Sequence, residues 1–197
     1  MANTILPCPE LESYIAGSQC TENMAGMGEV IYVFDRSKVD KTKITRNNET
    51  YTLAEGWLGT GVLYKFECKR DSQQIQGEGQ GDRKGFIITL NAVIEAVDKK
   101  SARILRSIQN LDLGYIIPGD GENQILYDPN KKVYCESGNL ATDTGAAAGD
   151  DRQTTIQVHL GPVPFGNLFI DAESVPSGGW DSLMEQAEEE PKDPNQQ

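Results

Sequence analysis

The sequence predicts a mainly β protein, a β-sandwich or barrel-like fold with one flanking α-helix. Three observations carry that expectation. Short segments rich in β-branched and aromatic residues recur along the chain, Gly, Pro, Asn and Asp supply turn chemistry between them, and one segment alone has convincing helical periodicity. Regular alternation of strands with helices, as in a parallel α/β fold, is not seen. The 197 residues suffice to bury a core, and 38% hydrophobic content with 20 Gly and 9 Pro suits a globular chain rich in turns.

Residues 1–23 mix Pro7, Pro9 and Gly17 with polar side chains and read as an N-terminal arm; residues 24–170 read as the β domain. Glu29–Phe34 (EVIYVF) suits a pleated surface and is closed by Asp35, Arg36 and Ser37. Residues 38–59 are polar and are punctuated by Asn47, Asn48, Gly56 and Gly59, which reads as a long loop or an exposed hairpin. Val62–Arg70 alternates, and Val62, Tyr64, Phe66 and Cys68 are expected to face the core. Gln73–Gly85 reads as a hairpin connection weakened by Gly77, Gly79 and Gly81. Those glycines do not make a phosphate cradle, because they are spaced by two and lead into a strand, whereas a dinucleotide fingerprint needs a helix N-terminus behind it.

Phe86–Val97 is the longest apolar run and reads as a strand. Residues 98–110 read as the helix, with Asp98 as N-cap, Ala102, Leu105 and Ile108 on one face, and Lys100, Arg103 and Ser107 on a solvated one. Past Leu113, the pieces GYIIP, QILYD and VYCES are separated by turns, and Gln124–Asp128 with Lys132–Glu136 reads as a hairpin around Pro129 and Asn130. Gln153–Leu160 (QTTIQVHL) alternates as a final core strand. Residues 171–197 hold eight acids against Lys192, a local charge of −7, and read as an acidic C-terminal arm, disordered unless a partner holds it. Trp180, Leu183 and Met184 stand out there, either as an anchor for a neighbouring surface or as packing back on their own domain.

The formal charge of −12, from 18 basic and 30 acidic residues, argues against tight wrapping of nucleic acid or an anionic membrane. No apolar run approaches the roughly 20 residues that span a bilayer as a helix, so membrane insertion is not expected. The first residues lack a basic region and an apolar run of signal-peptide length, and Pro7 before Cys8 does not suit lipoprotein processing. Cys8, Cys20, Cys68 and Cys135 have no CxxC spacing, so free thiols are expected, and with the single His159 they assemble no zinc ligand set. His159 reads as a strand residue. Asp143, Asp150 and Asp151, near Asn139, lack the alternation and terminal Glu of a calcium loop and read as a turn. No catalytic, cofactor-binding or metal-binding residue is assigned, and the expectation is a protein without enzymatic activity or cofactor.

GMGEVIYVFDRSKV, VLYKFECKR, FIITLNAVIEAVDKKSARILRSIQNLDLGYII, a hairpin ending ESGN, and TGAAAGDDRQTTIQVHLG follow one another over about residues 24–170. That order of features resembles the tail tube (major tail) proteins of tailed phages infecting Bacteroides and relatives. Gly145, Ala146, Gly149 and Asp150 match the late turn of that group best. The resemblance implies a virion structural protein: a homo-oligomer, a β-sandwich that closes into hexameric rings through its inner sheets. The rings stack into the bacteriophage tail tube. Its implied partners are other copies of itself and other tail proteins, with DNA only in transit through the lumen, and its implied location is the virion tail, or the host cytoplasm during assembly. A mildly acidic conduit suits passing DNA, since attraction would hold the polymer.

Two alternatives stand beside it. One is the tube protein of a contractile injection system. The other is a secreted or surface β-sandwich binding module of the carbohydrate or adhesin type, with Trp57, Tyr64, Tyr127, Tyr134 and Trp180 as a stacking platform. A hydrolase with a carboxylate pair has no acid pair that spacing places together.

Overall fold

A computed structural model describes residues 29–119, 122–146 and 150–184. Within them the chain is mainly β, with two sheets and a single α-helix. The strands are β1 (Val30–Asp35), β2 (Ile44–Asn47), β3 (Thr50–Leu53), β4 (Tyr64–Glu67), β5 (Gln74–Gly79), β6 (Phe86–Ile94), β7 (Leu113–Ile117), β8 (Asn123–Leu126), β9 (Val133–Tyr134), β10 (Leu140–Asp143), β11 (Gln153–Val163) and β12 (Phe169–Ile170), and helix α1 (Lys99–Asn110) joins β6 to β7. The first sheet has seven strands in the order β2-β3-β12-β8-β7-β1-β4; the second runs β10-β11-β6-β5, with β9 also paired to β11. All neighbours are antiparallel except β12 and β3.

The centre of the first sheet is buried on both faces. In β1, Ile31, Tyr32, Val33 and Phe34 are all at most 7% exposed, and β7 is buried throughout. Alternation therefore cannot show in these strands, because each residue parity meets apolar material. On one face, Phe34 meets Trp57 edge-to-face at 5.0 Å, and the Tyr32 hydroxyl donates to Asp181 Oδ1 at 2.8 Å. Gly114 pairs with Phe34 in the register, and a Cβ there would lie 2.3 Å from the Phe34 ring, so only glycine lets the ring lie flat on β7. Ile31 and Val33 point the other way and join Ile88, Leu90, Ile156, Val158 and Leu160 of the second sheet in one core.

Helix α1 begins with a reciprocal cap. Asp98 Oδ1 accepts from Ser101 N at 2.7 Å, and Ser101 Oγ accepts from Asp98 N at 2.9 Å, satisfying two of the amides a helix start leaves open. Ile108 reaches the core, with Ile104 and Leu105 packed at its margin, whereas Ala102 faces solvent.

Several expectations are corrected. Of the two readings of residues 38–59 the hairpin is the one seen, as β2–β3 behind a short 3-10 turn, but it is not simply exposed: it forms one end of the first sheet, and Val39, Tyr51, Leu53, Trp57 and Leu58 are buried. In Val62–Arg70 Phe66 and Cys68 pack against the core as expected, but the parity is broken at the start, where Leu63 is buried and Tyr64 is 44% exposed, because β4 is an edge strand whose start is held from the side. Residues 74–79 are strand β5, and the connection is confined to 80–85. The expected hairpin around Pro129 does not form. β8 pairs with β7 and β12, β9 pairs with β11, and the chain changes sheets between them. Asp128 drives that crossing: its Oδ1 accepts from the amides of Asn130 and Lys131 at 2.8 and 3.0 Å, and its carbonyl accepts from Arg36 Nη2.

The described part of the arm beginning at 171, residues 171–184, packs back on the domain. Trp180 is buried and donates from Nε1 to Asn123 Oδ1 at 3.2 Å, while Leu63 N donates to Leu183 O at 3.0 Å beside a parallel bridge between Leu63 and Met184. Of the two roles open to Trp180, packing on its own domain is the one seen. The rest of that arm, residues 185–197, and the N-terminal arm lie outside the described residues, as do Cys8, Cys20 and Gly149.

Candidate assembly surface

The second sheet is open where the first is sealed. Along β11, Thr154, Ile156, Val158 and Leu160 are buried while Gln153, Thr155, Gln157 and His159 are half-exposed, the strict period of two of a one-sided strand. β6 repeats it, with Ile88, Leu90 and Ala92 inward and Ile87, Thr89, Asn91 and Val93 outward. The register aligns Gln74, Gln76 and Glu78 of β5 with Asn91, Thr89 and Ile87, and Ala141 and Asp143 of β10 with Thr155 and Gln153. The outer face is thus mainly a field of amides and hydroxyls, interrupted by Ile87, Val93 and Ala141, with acids only at Glu78 and Asp143 and no Lys or Arg at any outward strand position.

His159 sits within this field. Its Nδ1 is 2.9 Å from Thr89 Oγ1 and its Nε2 is 2.6 Å from Asn139 Nδ2, with the ring tilted over Tyr134. With the Asn139 amide donating to Nε2, Nδ1–H donates to the Thr89 hydroxyl, so both ring nitrogens are engaged in a cross-strand ladder. The sequence could not name these partners, because Asn139 and Thr89 are distant along the chain.

The edges are the second feature. β5 and β10 end the four-strand path, and neither has a further neighbour among the described residues. Hydrogen-bonded and non-bonded pairs alternate in an antiparallel ladder. Gln80 N donates to Gly85 O and Gln157 N donates to Asn139 O, which fixes the phase at both ends. Counting from those pairs, the amides of Ile75, Gly77 and Gly79 on β5, and of Leu140 and Thr142 on β10, point away from the sheet. Such rows are templates for another strand. Gly77 lets the backbone at Gly166 lie against β5: a Cβ there would lie 1.8 Å from Gly166 O.

The remaining candidates fall as follows. Asp143 Oδ1 accepts from Gly145 N at 2.9 Å and Asp150 Oδ2 from Ala146 N at 2.8 Å, so both shape the turn before β11. Asp151 receives Lys69 Nζ at 2.6 Å, a hydrogen bond that holds its carboxyl below the usual carboxylate range. Among the described residues no group of three or more His, Cys, Asp or Glu is placed to hold a metal ion. Cys68 and Cys135 are free, and burial pushes the Cys68 thiol up, away from the reactive thiolate. Of the five aromatics proposed as a stacking platform, Trp57, Tyr127 and Trp180 are buried, and only Tyr64 and Tyr134 are exposed.

The β5 edge is the feature the sequence reading passed over. Its signal was the alternation in QIQGEG, masked by glycines that also suit a turn. Fold and surface together define a two-sheet β-sandwich protein with, among the described residues, one helix, one open polar face, and a second sheet whose two end strands have no further neighbour. No family model, curated protein or solved structure matched the chain in the comparisons made.

Proposed function

We propose that the chain is a structural subunit that closes into a ring by pairing β5 of one copy with β10 of the next, and that stacked rings form a tail tube. The observation that carries this reading is strand parity. β5, β6, β11 and β10 alternate in direction, so copies related by rotation set β10 antiparallel to the neighbouring β5, and the ladder continues without a break in polarity. Closure removes both edges.

Size supports the reading as well. Six copies of the four-strand path, the number the tail-tube resemblance implies, give 24 strands. At about 4.8 Å per strand and a tilt near 40° the backbone radius is about 24 Å, which clears a DNA duplex after side chains are allowed for. The face turned inward would be the field of amides and hydroxyls around Gln76, Asn91 and Gln157. Such a wall offers no cation to grip phosphate.

Negative-stain electron microscopy of the purified chain tests the proposal. Rings or tubes are expected. Thr142→Pro removes an outward amide of β10 while leaving the ladder to β11 intact, and is expected to give a folded monomer with an unchanged circular dichroism spectrum. A wild-type chain monomeric at high concentration and across salt conditions contradicts the reading, as does a Thr142→Pro chain that assembles normally.

A further inference from the structure

A β5–β10 ladder alone is a small contact. About five residues of strand are about 17 Å long and one sheet is about 10 Å thick, which gives a strip of about 170 Å² on each copy. A stable interface buries about 800 Å² per partner, so a joint of this kind needs further surface beside the ladder. A groove of about 890 Å³ lies next to the β10 edge, and its apolar lining is Leu105 and Leu111 from the end of α1, Val133 and Cys135 at β9, and Leu140 of β10. Leu111 is 51% exposed there. Leu140 stands opposite buried Ile156 and Val133 opposite buried Leu160, so the groove opens on the core side of the sheet.

The β5 edge carries a projection on that same side. Phe86 of β6 shares the parity of Ile88 and Leu90 and so turns to the core side, yet it is 37% exposed. Its ring crosses the neighbouring strand: a Cβ on Gly79 would lie 3.6 Å from it, and one on Gly166 would lie 3.3 Å from it. With no side chain at Gly79, the ring reaches the rim of the sheet.

The phase of the ladder brings projection and groove together. The outward amides belong to Ile75, Gly77 and Gly79 on β5 and to Leu140 and Thr142 on β10; these five stand opposite Leu90, Ile88, Phe86, Ile156 and Thr154, all on the core side. Opposed residues of an antiparallel pair share a face, so a joined ladder keeps core side against core side. Two registers give both Leu140 and Thr142 a partner among the three β5 residues, and each sets a glycine, Gly77 or Gly79, opposite Leu140. In one of them Gly79 with the ring above it meets Leu140, in the other Gly138, and both residues line the groove.

We propose that Phe86 of one copy seats in the groove between α1 and β9–β10 of the next, an apolar lock beneath the ladder. The lock rests on the edge-pairing reading above and adds to it the side-chain contact that the ladder lacks. A second copy is the occupant because projection and groove lie at opposite edges of one sheet and on the same side of it, so one rotation closes ladder and lock together. No copy fills its own groove, since β11 and β6 separate β9 and β10 from Gly79 and the ring above it.

Cys135, a free thiol in the lining, reports on the groove. Iodoacetamide labelling of Cys135 in the full chain, read by mass spectrometry, is expected to slow about tenfold or more when dispersed protein assembles. Phe86→Ala is expected to raise the concentration at which assembly begins by about tenfold or more, and to leave Cys135 labelled quickly in whatever assembles. Leu111→Asp, a change at an exposed position on the other side of the contact, should raise that concentration similarly, with the circular dichroism of both variants unchanged. Wild-type assemblies that protect the β5 and β10 amides but label Cys135 at the dispersed rate, or Phe86→Ala and Leu111→Asp chains that assemble at the wild-type concentration, overturn the lock and leave edge pairing standing. A wild-type chain that never assembles overturns both.

Discussion

The two sheets of this sandwich treat their outer faces in opposite ways. The seven-stranded sheet is closed over by residues 38–43, 54–63 and 172–184, so residues 31–34 of β1 and all of β7 are buried and Trp57 and Trp180 are sunk against the sheet. The other sheet keeps an open face made mainly of Gln, Asn and Thr, and among the described residues the outward amides of β5 and β10 have no strand beside them. One β4 edge of the sealed sheet even takes a backbone partner from its own chain, Leu183 and Met184 on Leu63. β2, the other end of the sealed sheet, has no further neighbour among the described residues either, so what sets β5 and β10 apart is the open polar face they flank, and the proposed pairing of copies falls there.

That contrast can be broken at its largest point by Trp180→Ala. Loss of a buried indole and of its hydrogen bond to Asn123 is expected to cost about 3–5 kcal/mol, read as a shift in the urea midpoint. A shift below about 1 kcal/mol would mean the cover adds little to the sealed sheet. Gly114→Ala comes next: the new methyl collides with the Phe34 ring, and overpacking of this kind costs about 1–3 kcal/mol on the same readout.

A smaller effect concerns acid. The hydrogen bond from Tyr32, helped by Lys65, holds the Asp181 carboxyl below the usual carboxylate range. A depressed folded value means the contribution is complete above the unfolded value, near 4, and is lost as pH falls through the folded one. Trp fluorescence should therefore report a loosening of residues 180–184 below about pH 4, and Asp181→Asn should abolish that step. At the bottom of the scale, Gln76→Lys and Gln157→Lys on the open face should change stability by no more than about 0.5 kcal/mol. A larger loss would show that this face is already covered within one copy.

The legible part of the fold follows the same division. One-sided strands print their period on the sequence, and QTTIQVHL and the helix with its Asp98 cap are both where the residues indicated. Strands buried on both faces or held at an edge do not. Val62–Arg70 alternates in sequence, yet Leu63 points inward because Leu183 and Met184 pair beside it. The Pro129–Asn130 turn looked like a hairpin tip because local turn chemistry is identical whether the next strand returns or crosses to another sheet. Only the distant Arg36 and Arg46, bound to Asp128, distinguish the two. The candidate surface was half legible: its residues could be read as polar strand positions, but the phase of the outward amides needs the register.

Edge pairing is tested most directly by amide hydrogen exchange in assembled and dispersed protein, resolved to β5 and β10. Slowed exchange at Ile75, Gly77, Gly79, Leu140 and Thr142 upon assembly, with the strands of the sealed sheet unchanged, is the predicted result. Assembly that leaves these five amides exchanging as in the monomer, or that protects β2 instead, would contradict it.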